Sequence, residues 1–292
     1  MAWGARHLVD ILVRLYYNEA EARFSVAHIC CSHGGFGLGV LMLVIQNIKK
    51  HFGGLSALDG VSFAVPPGTI TSMIGPNGAG KTTLFNTISG FLRPTEGVIR
   101  FKGRDITGWS PHRIASIGLG RTFQNVQLFA NLNALENVMA ARFCRTRSSF
   151  LESLLFLPRD RGDRRQSREE AEALLEWVGI AERRFLMPRE LPYGDQRRLE
   201  IARTLAMEPD LLMLDEPTAG MSHLEAQDLM ELIGRLKERG KTILLIEHNM
   251  NVVMSISDTV VVLNFGQKIA AGTAVDVQAN PEVIEAYLGV ET

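Results

Sequence analysis

One eight-residue segment constrains the fold more than any other part of the chain. GPNGAGKT (75–82) matches the pattern G-x-x-x-x-G-K-[ST] at every fixed position. It follows TITSMI (69–74), a β-branched and apolar run, and leads into KTTLFNTISGFL (81–92), whose apolar residues are spaced as in a helix. A strand, a glycine-rich loop and a helix in this order predict an α/β phosphate-binding unit.

The residues of this loop suit an anion. Glycines allow several backbone N–H groups to point at one phosphate, and the dipole of the following helix adds to that field. Lys81 can reach a β- or γ-phosphate, and the hydroxyl of Thr82 can ligate Mg²⁺. The alternative is a glycine-rich turn with a chance Lys-Thr pair, and the flanking strand and helix argue against it.

Composition removes several other classes of protein. Of the 292 residues 46% are hydrophobic, which excludes wholesale disorder, and 31 Lys and Arg against 32 Asp and Glu leave a formal net charge of −1. This balance disfavours a protein that binds nucleic acid or a lipid surface through a basic face. Cys30, Cys31 and Cys144 fit neither a disulfide framework nor a CxxC site, and they indicate a reducing compartment.

The first 41 residues differ from the rest of the chain. Residues 24–48 contain no Asp, Glu, Lys or Arg, but histidines and glycines interrupt the apolar run, so no membrane-spanning helix is expected there. A disordered tail, a family-specific arm and a start site placed upstream of the true one remain open. Met42 begins a segment that is typical of the opening of a domain, and residues 1–41 receive no function.

From Met42 onward, β patterns surround a helical stretch. We predict a half-buried edge strand over 43–48 and further strands at 60–65, 97–103, 211–216, 242–248, 259–265 and 268–273. Helical patterns occupy parts of 132–207, and also 223–238 and 280–289. Ser222 and Glu225 have the spacing of a capping box. The expected fold class is α/β, with a core interrupted by an all-helical insertion.

Polar side chains follow two of these predicted strands. Asp215 and Glu216 end LLMLDE, and His248 ends TILLIEH. Because ligands of open α/β sheets bind at the carboxyl ends of strands, Asp215 could hold Mg²⁺ while Glu216 orients and deprotonates an attacking water. The two strands should be neighbours, which would bring the imidazole to a γ-phosphate. Gln124, in RTFQNVQLF, by itself indicates only an ordinary amide.

The order of the motifs carries a resemblance. LPYGDQRR (191–198) precedes the helical pattern EIARTLA, just before the Asp215 strand. With this segment added, residues 42–292 resemble the ABC transporter ATPase family: LPYGDQ stands in place of the signature LSGGQ, and AGMS (219–222) in place of the D-loop. The resemblance implies a P-loop ABC ATPase core sheet, a small antiparallel β part, a helical subdomain over about 125–207 and a C-terminal extension over about 266–292.

The resemblance also implies ligands and roles. In that family two domains sandwich two ATP molecules, and each signature faces the phosphate loop of the other domain. Catalytic roles then fall to Lys81, Gln124, Glu216 and His248, and Mg²⁺ ligation falls to Thr82, Gln124 and Asp215. The implied nucleotide-binding set, with Phe52 against adenine, is Phe52, Gly75, Pro76, Asn77, Gly78, Ala79, Gly80, Lys81, Thr82, Thr83, Gln124, Asp215, Tyr193, Gly194 and Asp195.

The signature departs from the family pattern. Pro192 replaces its serine and removes a hydroxyl that would contact the opposing γ-phosphate, Tyr193 replaces a glycine, and Asp195 replaces a glutamine. Ser222 replaces the usual D-loop aspartate. Proline is tolerated at a helix start, and Gly194 can still offer its N–H group, so we expect a weakened site and not a lost one.

Further segments are similar to one branch of the family. FGGLSALDGVSF (52–63), RTFQNVQLF (121–129), DEPTAGMS (215–222) and NPEVIEAYLG (280–289) look like the ATP-binding subunit of branched-chain amino-acid importers. This implies integral-membrane permeases as partners, together with a second similar ATPase subunit or a second copy, and indirectly a substrate-binding protein. It also implies a peripheral location on the cytoplasmic face of the inner membrane, and no nucleic acid.

Other functions remain as alternatives. Subunits of urea importers and of the lipopolysaccharide exporter are close relatives of this branch. An ABC protein that acts on ribosomes or DNA would generally carry two cassettes or a coiled-coil insertion, and this chain has one phosphate loop. A binding-only cassette would have a degenerate site, whereas Lys81, Asp215, Glu216 and His248 are all present.

Overall fold

The computed structural model describes residues 41–142 and 158–288. The three cysteines, residues 1–40 of the predicted N-terminal extension and 143–157 of the predicted helical stretch lie outside this part of the chain. The compact unit that contains the site begins at Leu41. Among the described residues, no helix combines the length and the apolar character that crossing a bilayer requires.

Strands and helices follow one another in the predicted order. The strands of the described residues are β1 (Leu43–Phe52), β2 (Leu55–Val65), β3 (Ile70–Ile74), β4 (Glu96–Phe101), β5 (Arg104–Asp105), β6 (Leu119–Arg121), β7 (Leu211–Asp215), β8 (Thr242–Ile246), β9 (Thr259–Asn264) and β10 (Gln267–Gly272). Their helices are α1 (Lys81–Ile88), α2 (Pro111–Ser116), α3 (Ala134–Arg142), α4 (Pro158–Trp177), α5 (Tyr193–Leu205), α6 (His223–Glu238), α7 (Met250–Ile256), α8 (Ala274–Gln278) and α9 (Pro281–Leu288).

The larger sheet has six strands in the order β10-β9-β3-β8-β7-β6. All neighbours are parallel except the β9–β10 hairpin. Strands β3, β7 and β8 are buried along their whole length, which explains their continuous apolar sequences. Asp215 pairs with Ile246, and Met73 pairs with the same residue from the other side. The carboxyl ends of these three strands therefore lie side by side, and the α/β fold class is confirmed.

The smaller sheet is antiparallel, with the order β2-β1-β4-β5. The prediction that 43–48 forms an edge strand is wrong, because β1 lies between β2 and β4. Its alternation is real: Leu43, Ile45 and Ile48 are buried, with a register shift at Asn47. An inner strand of an antiparallel sheet with one solvated face shows the same alternation as an edge strand.

Helix α1 is shorter than the predicted 81–92. It ends at Ile88 because Gly90 takes a left-handed conformation, with φ of 80°. A Cβ at Gly90 would collide with the carbonyl oxygen of Trp109, so the chain turns here at a glycine that no other residue can replace without rearrangement. The capping box predicted from Ser222 and Glu225 is present at the start of α6.

Helices α3, α4 and α5 build the helical part. Their apolar faces share one core with β7 and β8, through buried residues that include Leu135, Val138, Leu175, Leu199 and Leu214. This core fixes the orientation of α5, the helix that carries the predicted signature.

The turn between β9 and β10 is tied to two other elements. Gly266 donates its N–H to the carbonyl of Ala79 in the glycine loop at 3.1 Å, and its own carbonyl accepts the N–H of Asp59 in β2 at 2.8 Å. A Cβ at Gly266 would lie 2.8 Å from the carbonyl oxygen of Ala57. The end of the larger sheet therefore packs directly against the loop that follows β3.

Candidate functional site

The glycine loop between β3 and α1 has a backbone that requires glycine. Gly75 has φ of 152°, and a Cβ there would collide with the carbonyl oxygen of Leu263. Gly80 has φ of 99°, and its Cβ would lie 2.7 Å from the carbonyl oxygen of Ala57. The loop is thus held in one curled shape by strands on both sides.

The start of α1 is open to an anion. Gly80 is its N-cap, no side chain caps the helix, and its first turn contains no acidic residue. The first N–H groups of a helix have no partner within it and carry the positive end of the dipole. Asn77, Gly78 and Thr82 are exposed beside these groups. This is the arrangement that binds phosphate at a helix N-terminus.

Lys81 adds a cation to the loop. Its Nζ donates to the carbonyl of Gly75 at 2.6 Å and to that of Pro76 at 2.9 Å, and the residue is only 7% exposed. Burial lowers the pKa of Lys81, while the nearby Glu216 and Asp215 act in the opposite direction. An anion between the ammonium group and the helix start would be stabilised by both.

Asp215, at the end of β7, has a partner that the sequence analysis missed. Nη2 of Arg121 lies 3.1 Å from Oδ2 of Asp215, and both side chains are buried. Nη1 of Arg121 donates to Oδ1 of Asn86 at 2.8 Å and to Oγ of Ser89 at 2.6 Å. Burial raises the pKa of Asp215, and Arg121 opposes that shift. The guanidinium therefore fixes one carboxylate oxygen and joins β7 to α1 and the residue that follows it.

Glu216 brings together two residues from distant parts of the chain. Its Oε2 accepts a hydrogen bond from Nε2 of Gln124 at 3.0 Å, and Nδ1 of His248 lies 3.8 Å from the same oxygen. Glu216 has φ of 46°, a left-handed conformation rare outside glycine, and its N–H donates to the carbonyl of Ile246 at 3.0 Å. The bend aims the carboxylate out of the sheet edge, toward Gln124 and His248.

A second buried acid supports this edge. Glu247 is fully buried, and its Oε1 accepts the N–H of Thr218 at 3.1 Å and the Thr218 hydroxyl at 2.6 Å. Its Oε2 accepts the N–H of His248 at 3.3 Å. Glu247 thus joins the segment after Glu216 to the segment that carries His248. In the sequence, this role is indicated by nothing beyond the position of Glu247 next to His248 in LLIEH. That pattern does not distinguish a buried acid from a solvated one.

The signature segment forms the start of α5. Pro192 is the N-cap, with φ of −53° and ψ of 154°, and its carbonyl accepts the N–H groups of Asp195 and Gln196, both at 3.0 Å. Asp195 forms an ion pair with Arg183. The hydroxyl of Tyr193 accepts a hydrogen bond from Nη2 of Arg197 at 2.8 Å. Side chains of the signature are therefore engaged inside this chain.

Phe52 is the last residue of β1. Phe52 is 46% exposed, and Nζ of Lys50 lies 5.0 Å from the centre of its ring. Phe52 is accessible to a stacking ligand.

Thr83 is the last residue of the predicted nucleotide-binding loop. Its carbonyl accepts a hydrogen bond from the hydroxyl of Thr87 at 2.7 Å.

Comparison with known proteins identifies the fold and the family. The family profile of ABC transporters matches residues 58–219, and a profile described as branched-chain amino acid ATP-binding cassette transporter matches residues 267–292. The high-affinity branched-chain amino acid transport ATP-binding protein BraF of Pseudomonas aeruginosa is 47% identical over 249 residues, covering 85% of this chain and 98% of BraF. LivG of Escherichia coli, which has the same description, is 42% identical with the same coverage.

Solved structures agree with these relatives. The ADP conformation of MJ1267, an ATP-binding cassette of an ABC transporter, is 35% identical with a TM-score of 0.74, and the match covers 85% of this chain and 99% of that one. The dimeric cassette MJ0796 is 26% identical with a TM-score of 0.69, covering 80% and 99%. The chain is an ATPase subunit that belongs to the ABC transporter family and, within it, to the branched-chain amino acid transport ATP-binding proteins.

Proposed function

We propose that this chain binds and hydrolyses ATP to energise the import of branched-chain amino acids. The observation that carries the enzymatic part is the meeting of Gln124, Glu216 and His248 at the strand ends, next to a phosphate loop that holds Lys81. The named function of BraF and LivG supports the substrate class. The subunit would bind to membrane permeases on the cytoplasmic face of the inner membrane, and a substrate-binding protein would act on it indirectly.

Nucleotide binding is assigned to the loop and the start of α1. The first N–H groups of α1 have no partner within the helix, and together with the ammonium group of Lys81 they would bind the β- and γ-phosphates. The exposed ring of Phe52 would stack on the adenine. These residues would bind and orient the nucleotide and stabilise its charge, and none of them would form a covalent bond with it.

The residues present also fit a magnesium ion. Thr82 offers a hydroxyl, Gln124 an amide oxygen and Asp215 a carboxylate, and hard cations prefer such oxygen ligands. When bound, the ion would offset the negative charge that develops on the phosphates.

Glu216 is assigned the role of general base. Its Oε2 is held by Gln124, so the carboxylate has a fixed orientation and can position a water and accept its proton. His248 lies next to the same oxygen and would donate a hydrogen bond to the γ-phosphate. Glu247 orients this edge through Thr218 and the N–H of His248.

A second cassette completes the site. Tyr193, Gly194 and Asp195 would meet the phosphates bound by the partner cassette, which is either a second copy or a similar subunit. The dimeric cassette MJ0796 supports this arrangement. Pro192 brings no hydroxyl to that contact, so we expect weak association of the isolated subunit.

Transport by the reconstituted complex tests the proposal. Vesicles that contain the permeases, both cassettes and the binding protein should take up leucine, isoleucine and valine in the presence of ATP, and Glu216→Gln should stop uptake. Uptake of urea in place of these amino acids, or outward movement of lipopolysaccharide, would overturn the substrate assignment. ATP-driven uptake that persists in Glu216→Gln would overturn the assignment of the base.

A further inference from the structure

Two oppositely charged residues lie in the core of the helical part. Arg197 and Glu200 are on α5, are 2% and 1% exposed, and are joined by a contact of 3.3 Å between Nη1 and Oε2. A buried ion pair is weak evidence for stability, because desolvation offsets much of the attraction. The other contacts of the two side chains indicate what the pair does.

Both side chains bind the backbone around Gln124. Nη1 of Arg197 donates to the carbonyl of Phe123 at 2.7 Å, and Nη2 donates to the carbonyl of Gln124. Oε1 of Glu200 accepts the N–H of Phe123 at 3.2 Å and the N–H of Gln127 at 3.4 Å. Residues 122–133 belong to no helix or strand, so these four bonds fix the backbone at Phe123, Gln124 and Gln127 in place of regular secondary structure.

The same guanidinium reaches the signature. Nη2 of Arg197 also donates to the hydroxyl of Tyr193, and the Arg197 guanidinium carbon lies 5.3 Å from the centre of that ring. Tyr193 is the first residue of α5 and is 40% exposed. Nη2 of Arg197 therefore contacts two groups at once: the carbonyl of Gln124 and the hydroxyl of Tyr193. The side chain of Gln124 holds Glu216, and Tyr193 is the residue proposed to meet a second cassette.

We propose that Arg197 and Glu200 are positioning residues that join the signature to the Gln124 loop. When a second cassette engages Tyr193, the guanidinium transmits the change to Gln124 and so to the orientation of Glu216. This inference rests on the proposed roles of Gln124 and Glu216 in hydrolysis. The forked geometry of arginine is essential, because the guanidinium serves two carbonyls of the Gln124 loop and two side chains of α5 at once.

Arg197→Lys is the principal variant. Lysine retains the charge, so Glu200 stays paired, but one ammonium group does not reproduce the fork. We expect the kcat for ATP hydrolysis to fall about tenfold to a hundredfold with little change in KM, because the loss is one of catalytic geometry. We also expect faster hydrogen exchange at the N–H groups of Phe123 and Gln127, measured on peptides that cover 122–128.

Arg198→Lys is the matched control on the same helix. Arg198 donates to the carbonyl of Val178 at 2.9 Å and lies 3.8 Å from Asp228, so its contacts face another part of the molecule. This variant should keep the parent kcat and the parent exchange at 122–128. Equal effects of the two variants on kcat and exchange would mean that Arg197 acts only by stabilising the helix, and would overturn the proposal.

Tyr193→Phe tests the link to the signature without disturbing the core, since it removes one hydroxyl and leaves the ring. In a Glu216→Gln background, with the subunit assembled on the permeases with its partner cassette, ATP should protect 122–128 from exchange. Tyr193→Phe in the same complex should lose that protection while it still binds ATP. Full ATP-dependent protection in Tyr193→Phe would overturn the proposal, even if Arg197→Lys fails to fold. Exchange requires no hydrolysis, so this result is separate from any failure of Glu216 as the base.

Discussion

Nε2 of Gln124 lies 3.0 Å from Oε2 of Glu216, although the two residues are 92 positions apart in the chain. The amide holds the carboxylate at one oxygen and leaves the other free to face a water molecule. The orientation of Glu216 therefore depends on the Gln124 loop, whereas nucleotide binding is assigned to the glycine loop, so the two can be tested separately.

Glu216→Gln should leave ATP binding nearly intact and lower turnover about 10²- to 10⁴-fold. Glutamine retains the shape and a hydrogen bond to Gln124, but it does not accept a proton. Affinity from calorimetry and phosphate release in single turnover measure the two effects. Glu182→Gln, at an exposed acid in a short 3₁₀ turn, is the control and should match the parent. Turnover near the parent rate in Glu216→Gln would mean that another group is the base.

Lys81→Ala should fail at nucleotide binding, and the affinity of the parent chain should depend on pH. Burial lowers the pKa of Lys81 below 10.5 in the free protein, whereas a bound triphosphate favours the charged form. Binding then takes up a proton once the pH exceeds the lowered pKa, so affinity should fall as the pH rises toward 10.5. Calorimetry of Lys81→Ala should show a weaker and flatter profile. A flat profile in the parent chain would contradict this prediction.

Gly75→Ala and Gly234→Ala should change stability in opposite directions. At Gly75 the new Cβ collides with the carbonyl of Leu263, and φ is 152°, so a loss of about 1–3 kcal/mol is expected. Gly234 lies inside α6 with nothing within 4 Å of the new Cβ, so alanine should add about 0.5–1 kcal/mol. Urea unfolding of both variants measures the difference. A stable Gly75→Ala protein with normal ATP affinity would show that the loop tolerates another shape.

Pro192→Ser should strengthen the ATP-driven association of the isolated subunit. The serine hydroxyl would restore one bond to a charged phosphate, worth about 1.5–3 kcal/mol. Because residue 192 is the N-cap of α5, serine also stabilises the helix, by about 1 kcal/mol. Sedimentation in the Glu216→Gln background, with and without ATP, measures association.

Pro192→Ala shows whether stronger association in Pro192→Ser comes from the added hydroxyl or from loss of the proline ring, since alanine removes the ring without adding a hydroxyl. It should associate as weakly as the parent chain. A tight ATP dimer of the parent at low protein concentration would contradict the expectation of a weakened signature.

A chain that starts at Met42 should retain its fold and its ATPase activity. Met42 must be kept, because its N–H donates to the carbonyl of Val65 at 3.0 Å and its carbonyl accepts the N–H of Lys102 at 2.9 Å. Thermal unfolding and hydrolysis rates of the shortened chain test this. A large loss of stability in the Met42 chain would assign a structural role to the preceding residues.

The sequence predicts the parts of the site that follow from strand order. Because β7 and β8 are continuous apolar runs, the polar residues at their ends could be placed at one sheet edge, and the structure brings Glu216 and His248 together there. The position of β1 within its sheet could not be predicted in this way, since alternation reports one buried face and says nothing about the number of neighbours.

The buried charges were missed for a physical reason. Arg121 and Asp215 are 94 positions apart, and nothing local distinguishes a buried arginine from a solvated one. One signal did exist on α5, where Arg197 and Glu200 share a helical face with the buried residues Ile201 and Leu205. Opposite charges three positions apart on an apolar face indicate a paired group inside the core.

The bonds of Gly266 have a consequence for exchanging parts between related transporters. The match to the branched-chain profile begins at Gln267, one residue after the glycine that binds both Ala79 and Asp59. In a chimaera whose C-terminal part comes from a related transporter and begins before Gly266, the turn that packs against the phosphate loop would come from the other protein. A junction after Gly272, at the end of β10, would leave that turn native and transplant only the two terminal helices. Gly266 therefore lies at the boundary between the segment that the branched-chain profile matches and the loop that is proposed to bind the phosphates.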